Sequence, residues 1–407
     1  MTPADATLEA PAAGGLRVER IASVDALGAV RDEWDGFVED CASDIYFTVD
    51  WLEAWWAHYG RGRSFEGLVV RAGDRVVAVL PFAVERVRAA GIPVRLARFV
   101  GADSTLPVFT PAIAPGFEEP VLRRAAERLL DERGCDAISL SPLSGVSPVA
   151  AAAERLASEG RLRLARADST GVHTVFRLPD SFESYLAALG QASRRDHRRS
   201  LRQLDKACEI SYRTVGGDDA VGYFDRFVEL HTDLWRREGK LGHFGDWPAS
   251  AAFTRDLIAR MAATGRARFY EISGDGRLLA VEQCFVLGDR CFWRLPARDP
   301  DPGLRTLGLG RTSAAEMFRA LIEEGRTEVE AGPGHYDYKV RLNGEELPLR
   351  RVVIGGRSLS ARWRTALLVR WADLLHLVYY RGWFLKLAPR LGRERRPLWR
   401  PWIRTRV

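Results

Sequence analysis

Residues 268–295, RFYEISGDGRLLAVEQCFVLGDRCFWRL, decide the fold. Two apolar runs, Arg268 to Ile272 and Leu278 to Leu287, are separated by Ser-Gly-Asp-Gly-Arg, and a third, Arg290 to Leu295, follows at once. β-Branched and aromatic residues flanking a Gly-Asp turn predict a hairpin extended by one strand. Beyond it the chain reads as a Gly-rich loop, a helix from about Thr312 to Glu324, and a short strand from Glu328 to Ala331. A strand, crossover helix and second strand predict a mixed sheet covered by helices.

The same order occurs earlier. Gly67 to Arg71 and Val76 to Val84 predict a hairpin, Val94 to Val100 a third strand, Glu118 to Arg133 a helix and Ala137 to Leu140 a short strand. Gly73-Asp74-Arg75-Val76-Val77-Ala78-Val79 resembles Gly274-Asp275-Gly276-Arg277-Leu278-Leu279-Ala280-Val281. A duplicated α/β (α+β) unit is the expected architecture. The division expected is a disordered tail over 1–15, a first half over 16–175, a second half over 176–356 and a basic helical tail over 357–407. Helices are also expected over Phe47 to Tyr59, with Asp50 as N-cap, and over Phe182 to Lys206, Val221 to Arg237 and Ala249 to Thr264.

Composition limits the function. With 46% hydrophobic and 28% charged residues the 407-residue chain can bury a core in each half. Five cysteines at wide spacings, without CxxC, argue against a disulfide framework or zinc site, and the histidines form no HExxH, so no metal is expected. No apolar run is long enough to span a bilayer and no signal peptide is apparent, so a cytoplasmic location is expected. The net charge of +6 is concentrated: residues 357–407 hold 13 Lys/Arg against 2 Asp/Glu, which leaves the rest net acidic. This argues against nucleic acid as a general partner, a tRNA in one basic groove excepted.

Arg305-Thr306-Leu307-Gly308-Leu309-Gly310 is the strongest local motif. Glycines at a helix start let backbone N–H groups approach an anion, which the helix dipole favours. A plain Gly-rich turn is the bland alternative. The R-x-x-G-x-G run resembles the CoA-pyrophosphate loop of GNAT acetyltransferases. More of the chain is similar to the BioF2-like or cellulose-biosynthesis-associated (CelD/BcsL) acetyltransferase domain, a relative of the FemABX peptidyltransferases. The resemblance rests on Phe47-Thr48-Val49-Asp50-Trp51-Leu52-Glu53-Ala54-Trp55, Val79-Leu80-Pro81, Phe99 to Asp103, Ser193-Arg194-Arg195, Leu230-His231 with Trp235, Arg277 to Ala280, and Tyr338-Lys339 after Gly334, in that order.

The resemblance implies tandem GNAT-like halves and direct acyl transfer from acetyl-CoA or another acyl-CoA. Arg305, Leu307, Gly308, Leu309 and Gly310 would hold the CoA. The loop from Gly101 to Gly116 has prolines in place of that motif, so only the second half is expected to bind it. Direct transfer needs a base and an acid. Glu282, in an apolar strand, is the candidate base, or else a structural glutamate. His231 is the alternative base, or else a helix-surface histidine. Tyr338 is a candidate proton donor, or else a packing residue. Arg195, Arg199 and Lys339 are candidate substrate contacts, and solvated side chains otherwise.

The expected acceptor is a small molecule or a lipid- or nucleotide-linked sugar of a cell-envelope precursor. Two alternatives stay open: an aminoacyl transferase using aminoacyl-tRNA, and a non-catalytic, membrane-associated subunit of exopolysaccharide assembly. In the tail, Leu367, Trp371, Leu374, Leu375 and Val378 share one helical face, and tryptophans lie among arginines. Docking on the body is expected for this helix, and peripheral membrane contact for Arg390 to Val407.

Overall fold

The computed structural model describes residues 15–102, 107–237, 239, 242–246 and 249–393. Residues 1–14 of the expected tail over 1–15, and residues 394–407 of the Arg390–Val407 segment, therefore lie outside the described residues. In chain order the first elements are β1 (Leu16–Ile21), α1 (Arg31–Asp40), α2 (Val49–Tyr59), β2 (Ser64–Ala72), β3 (Arg75–Ala89), β4 (Ile92–Phe99), α3 (Glu118–Ala126), β5 (Ala137–Ser139) and β6 (Leu164–Arg177). Then come α4 (Phe182–Ala188), α5 (Gln191–Ala207), β7 (Ile210–Gly216), α6 (Asp219–Arg237), α7 (Ser250–Ala263), β8 (Ala267–Gly274), β9 (Arg277–Leu287) and β10 (Arg290–Arg298). The last are α8 (Leu309–Glu323), β11 (Glu328–Pro333), α9 (Asp337–Arg341), β12 (Glu345–Gly355) and α10 (Leu359–Leu375).

Two compact units result, one of residues 1–170 with 349–407, the other of 171–348. In the first, β1–β2–β3–β4 form an antiparallel series. β4 then pairs β5 in parallel, and β5 pairs β12 antiparallel. In the second, β7–β8–β9–β10 are antiparallel, β10 pairs β11 in parallel, and β11 pairs the end of β6 antiparallel. Strand order and sense repeat, and each parallel pair is bridged by one helix, α3 or α8. Even a register irregularity repeats, at Val70/Arg71 in β2 and at Ile272/Ser273 in β8.

The expected boundary at 356 is corrected by this pairing. Val353, Ile354 and Gly355 face Ser139, Ile138 and Ala137, so the last strand of the first unit is supplied from the far end of the chain. The expected tail is likewise not separate. Leu368 and Ala372 of α10 are buried with Val87, Val94, Leu96 and Val353 of the same unit. Of the face read from Leu367, Trp371, Leu374, Leu375 and Val378, Leu367 and Trp371 pack at the edge of this cluster while Leu374 and Val378 are exposed; the buried stripe is Ala361, Thr365, Leu368 and Ala372.

One cap and one helix also differ from expectation. Thr48, not Asp50, precedes α2, and Asp50 is buried in its first turn, paired with Arg31 at 2.7 Å. The expected helix over Phe182–Lys206 is two, broken at Leu189–Gly190, which adopt extended backbone.

Candidate active site

The second unit buries several polar groups around one strand, β9. Glu282 lies in the middle of β9, fully buried, opposite Tyr270 of β8 and Pro296 of β10. Residues of one parity on β9, including Cys284 and Val286, pack with Ala314, Met317 and Phe318 of α8. Glu282 shares that face, since side chains alternate along a strand. Trp293 donates its indole N–H to Oε2 of Glu282 at 2.8 Å. Oε1 has no hydrogen-bond partner among the described residues. Burial pushes the carboxyl pKa up to about 7, against the opposing pull of Ser313, Trp293 and the Arg298 charge.

The R-x-x-G-x-G stretch is more helical than its sequence suggests. Pro302–Leu307 form a 3-10 turn that the Asp301 carboxylate caps at Gly303, and α8 starts at Leu309, three residues before the expected Thr312. Gly308 is the cap, at φ +68° in the left-handed region. A Cβ there would lie 2.5 Å from Oγ of Ser200. A Cβ on Gly310 would fall within the guanidinium of Arg298. The carbonyl of Gly308 takes the N–H groups of Arg311 and Thr312, and Leu309 and Gly310 head the helix. Thr312 and Ser313, in the first turn, are buried with unpartnered hydroxyls.

The sheet opens beside this helix start. Parallel pairing of β10 with β11 runs only from Arg290/Glu328 to Phe292/Glu330. Beyond it, Trp293 to Arg298 pair with β9 on one side alone among the described residues. Lys339 is placed differently from its expected role. It is buried, its Nζ donates to the Ala331 carbonyl at 2.5 Å and stands 4.6 Å from the Tyr336 ring. Burial lowers its pKa to about 8. It satisfies a carbonyl of β11 past the last parallel pair and turns no ammonium toward solvent.

Tyr338 does join the cluster. Its ring meets Trp293 edge-on at 6.3 Å, and burial and the Glu282 charge raise its pKa. His231 does not. It is fully buried on α6, stacked on Phe227, which packs against Phe269 of β8. Phe269 and Tyr270 point to opposite faces, so His231 lies across the sheet from Glu282. One ring nitrogen, Nδ1, is 3.0 Å from the Pro296 carbonyl and the other 3.1 Å from His243. Burial lowers its pKa to about 4, so the ring is neutral.

On α5, His197, Ser200 and Leu204 are buried while Arg195 and Arg199 are exposed, the latter 3.3 Å from Asp196. Ser200 brings this helix against Gly308, so the arginine face stands beside the loop. Arg298, which the sequence reading passed over, is the cation best placed at the helix start. The expected strand stops at Leu295, three residues short of it, so nothing in the sequence marked Arg298.

A cleft of about 410 Å³ adjoins the cluster, lined by Tyr212, Tyr270, Glu271, Ser313, Glu316 and Arg319 among others. No group of three or more His, Cys, Asp or Glu able to hold a metal occurs among the described residues.

The fold is GNAT-like. Residues 191–340 match the family model of the acetyltransferase (GNAT) domain. The structure is similar to that of FemX, with a TM-score of 0.60 at 11% identity over 79% of this chain and 95% of that one. It is also similar to L-PGS from Bacillus licheniformis, with a TM-score of 0.50 at 10% identity over 84% of this chain and 96% of that one. At these identities the likeness is one of fold. No curated protein matches the sequence.

Proposed function

We propose that the protein transfers an acyl group from acyl-CoA to an amine or hydroxyl of a cell-envelope sugar or polysaccharide precursor. The observation that carries this reading is Glu282: a fully buried carboxyl with a pKa near neutrality, one unpartnered oxygen, and a place next to a glycine helix start and an open strand edge. Gly308 and Gly310, where a Cβ would collide, together with the unpartnered hydroxyls of Thr312 and Ser313, fit a phosphate-bearing co-substrate. Arg298 and the first amides of α8 would hold the pyrophosphate, and Arg305 and Leu307 precede them in the turn. The open edge of β10 suits an extended, amide-containing arm. The thioester supplies the activated acyl group. Glu282 takes the proton from the acceptor, and Tyr338, whose ring meets that of Trp293, is the proton donor for the leaving group.

The cleft suits the acceptor. Its lining holds four carboxylates, Asp205, Glu271, Glu316 and Glu323, against two guanidiniums, Arg213 and Arg319. Glu271 pairs Arg213 at 3.1 Å and Glu316 pairs Arg319 at 2.9 Å, which leaves a net negative wall and favours an amine. A second reading, aminoacyl transfer from tRNA, is favoured by the exposed arginines of α5 beside the loop.

Calorimetry of acetyl-CoA against the wild type and a Gly308→Trp variant tests the donor. Binding by the wild type and its loss in a folded variant support acyl-CoA. Absence of binding to folded wild type, with release of deacylated tRNA in its place, overturns it.

A further inference from the structure

The first unit carries an arginine site that acyl transfer does not use. Arg86 of β3 and Arg95 of β4 are direct cross-strand partners. Like charges placed opposite each other destabilise a ladder. Neither guanidinium has a hydrogen bond or ion pair among the described residues. With Arg364 of α10 they line a pocket of about 320 Å³ whose one carboxylate is Asp136. That carboxylate is already engaged, accepting from the Arg95 amide at 2.8 Å and standing 3.6 Å from Arg364. A pocket with three cations and one committed anion is built for an anionic ligand.

The helix that supplies Arg364 says what the ligand belongs to. At 100° per residue, Leu359, Trp363, Arg370 and Leu374 lie within about 60° of one another, opposite the buried stripe of α10. Leu359 is 81% and Trp363 56% exposed. The helical segment His376–Leu387 continues the pattern, exposing Leu377, Val378, Leu385 and Leu387. Between Leu374 and Arg393 the sequence has Arg381, Lys386, Arg390 and Arg393 and no Asp or Glu. Asp373, the acid nearest this stretch, is paired with Arg166. Exposed Leu and Trp interleaved with uncompensated arginines match a bilayer interface, with apolar side chains among the acyl chains and cations at the phosphates. No helix among the described residues is long and apolar enough to cross a membrane, so this face would lie on one.

We infer that this face of the first unit docks on an anionic lipid bilayer, with a lipid phosphate held between Arg86, Arg95 and Arg364. The inference stands apart from the acyl-transfer reading, because every residue it uses lies in the other unit.

Flotation of the full chain with vesicles tests it, comparing phosphatidylcholine alone with an equal mixture of phosphatidylcholine and phosphatidylglycerol. Binding to the mixed vesicles only is expected, weakening as salt rises. At about 1 kcal/mol per basic residue near the surface, the double variant Arg86→Gln/Arg95→Gln should bind about 30-fold more weakly. Its melting temperature should not fall, since two opposed charges are removed. The variant Leu374→Gln/Leu377→Gln, at exposed positions, should also lose affinity while remaining folded. The inference is overturned if the wild type stays with the soluble fraction on mixed vesicles. It is equally overturned if both double variants float as the wild type does, or if calorimetry finds inorganic phosphate in the arginine pocket of a protein that ignores vesicles.

Discussion

Trp293 donates its indole N–H to Oε2 of Glu282 from the neighbouring strand, at 2.8 Å, and with Ser313 of α8 it holds that carboxyl's pKa down. The donor stabilises the ionised form and opposes burial. Trp293→Phe keeps a ring against Phe176 and Phe318 but removes the donor. The pKa of Glu282 should then rise. In a pH–rate profile the rising limb moves to higher pH, while the plateau rate stays within a few-fold. An unmoved limb would mean that another group titrates.

Glu282→Gln separates chemistry from stability. As a base with a pKa of about 7, Glu282 gives activity that rises through neutrality. The amide cannot accept the proton, so kcat should fall by about 10²- to 10⁴-fold with KM for the thioester little changed. Stability goes the other way. The folded-state pKa is raised above the ordinary 4.5, so the folded protein binds more protons between these values. Wild-type stability therefore declines as pH rises from about 4.5 to about 7, by up to about 3 kcal/mol from this group. Denaturant unfolding should find the variant gaining on the wild type across that interval and level with its own trend above it.

The repeated unit was legible because hairpin alternation and a Gly-Asp turn are local signals, and the Gly73 and Gly274 segments fall at equivalent places in the two sheets. Their registers add what similarity alone could not. Ala78 faces Val70 as Ala280 faces Ile272, so Leu80 holds in the first unit the position of Glu282 in the second. The first half thus has an apolar residue where the second has a candidate base. What the sequence hid is non-local. The pairing of Val353 with Ser139 joins residues more than half the chain apart, so the boundary expected at 356 fell on the wrong side of β12. Lys339 and His231 read as chemistry-bearing by type and spacing. Only burial, and the face of the sheet each occupies, shows that one binds a carbonyl and the other lies opposite Glu282.

His231 supplies a test of that placement. Its pKa is lowered from 6.5 to about 4 because the charged ring would be buried. The unfolded chain takes up a proton there before the folded one does. The wild type should thus lose up to about 3 kcal/mol from this group as pH falls from about 6.5 to about 4. His231→Phe, among Phe227, Phe244 and Trp235, should lack that part of the slope, at some cost at neutral pH from the lost bond to Pro296. The activity limb near pH 7 should survive. Its disappearance would make His231, not Glu282, the base.

Arg298 and Gly310 are complementary, since the guanidinium occupies the space a side chain at 310 would need. Gly310→Ala must displace Arg298 and so disturb the helix start without altering charge. Arg298→Met removes the charge and leaves the backbone alone. If this pair holds the pyrophosphate, both variants should weaken acetyl-CoA binding. The loss for Arg298→Met should be about 10- to 100-fold, the size of a hydrogen bond to a charged group. The Arg298 charge also pulls the Glu282 pKa down, so Arg298→Met should move the activity limb to higher pH, whereas Gly310→Ala, which keeps the charge, should move it less. Calorimetry gives the affinities and the pH–rate profile the limb. Unchanged affinity in Arg298→Met would remove this residue from the donor site and leave the amides of α8 as its anion-binding element.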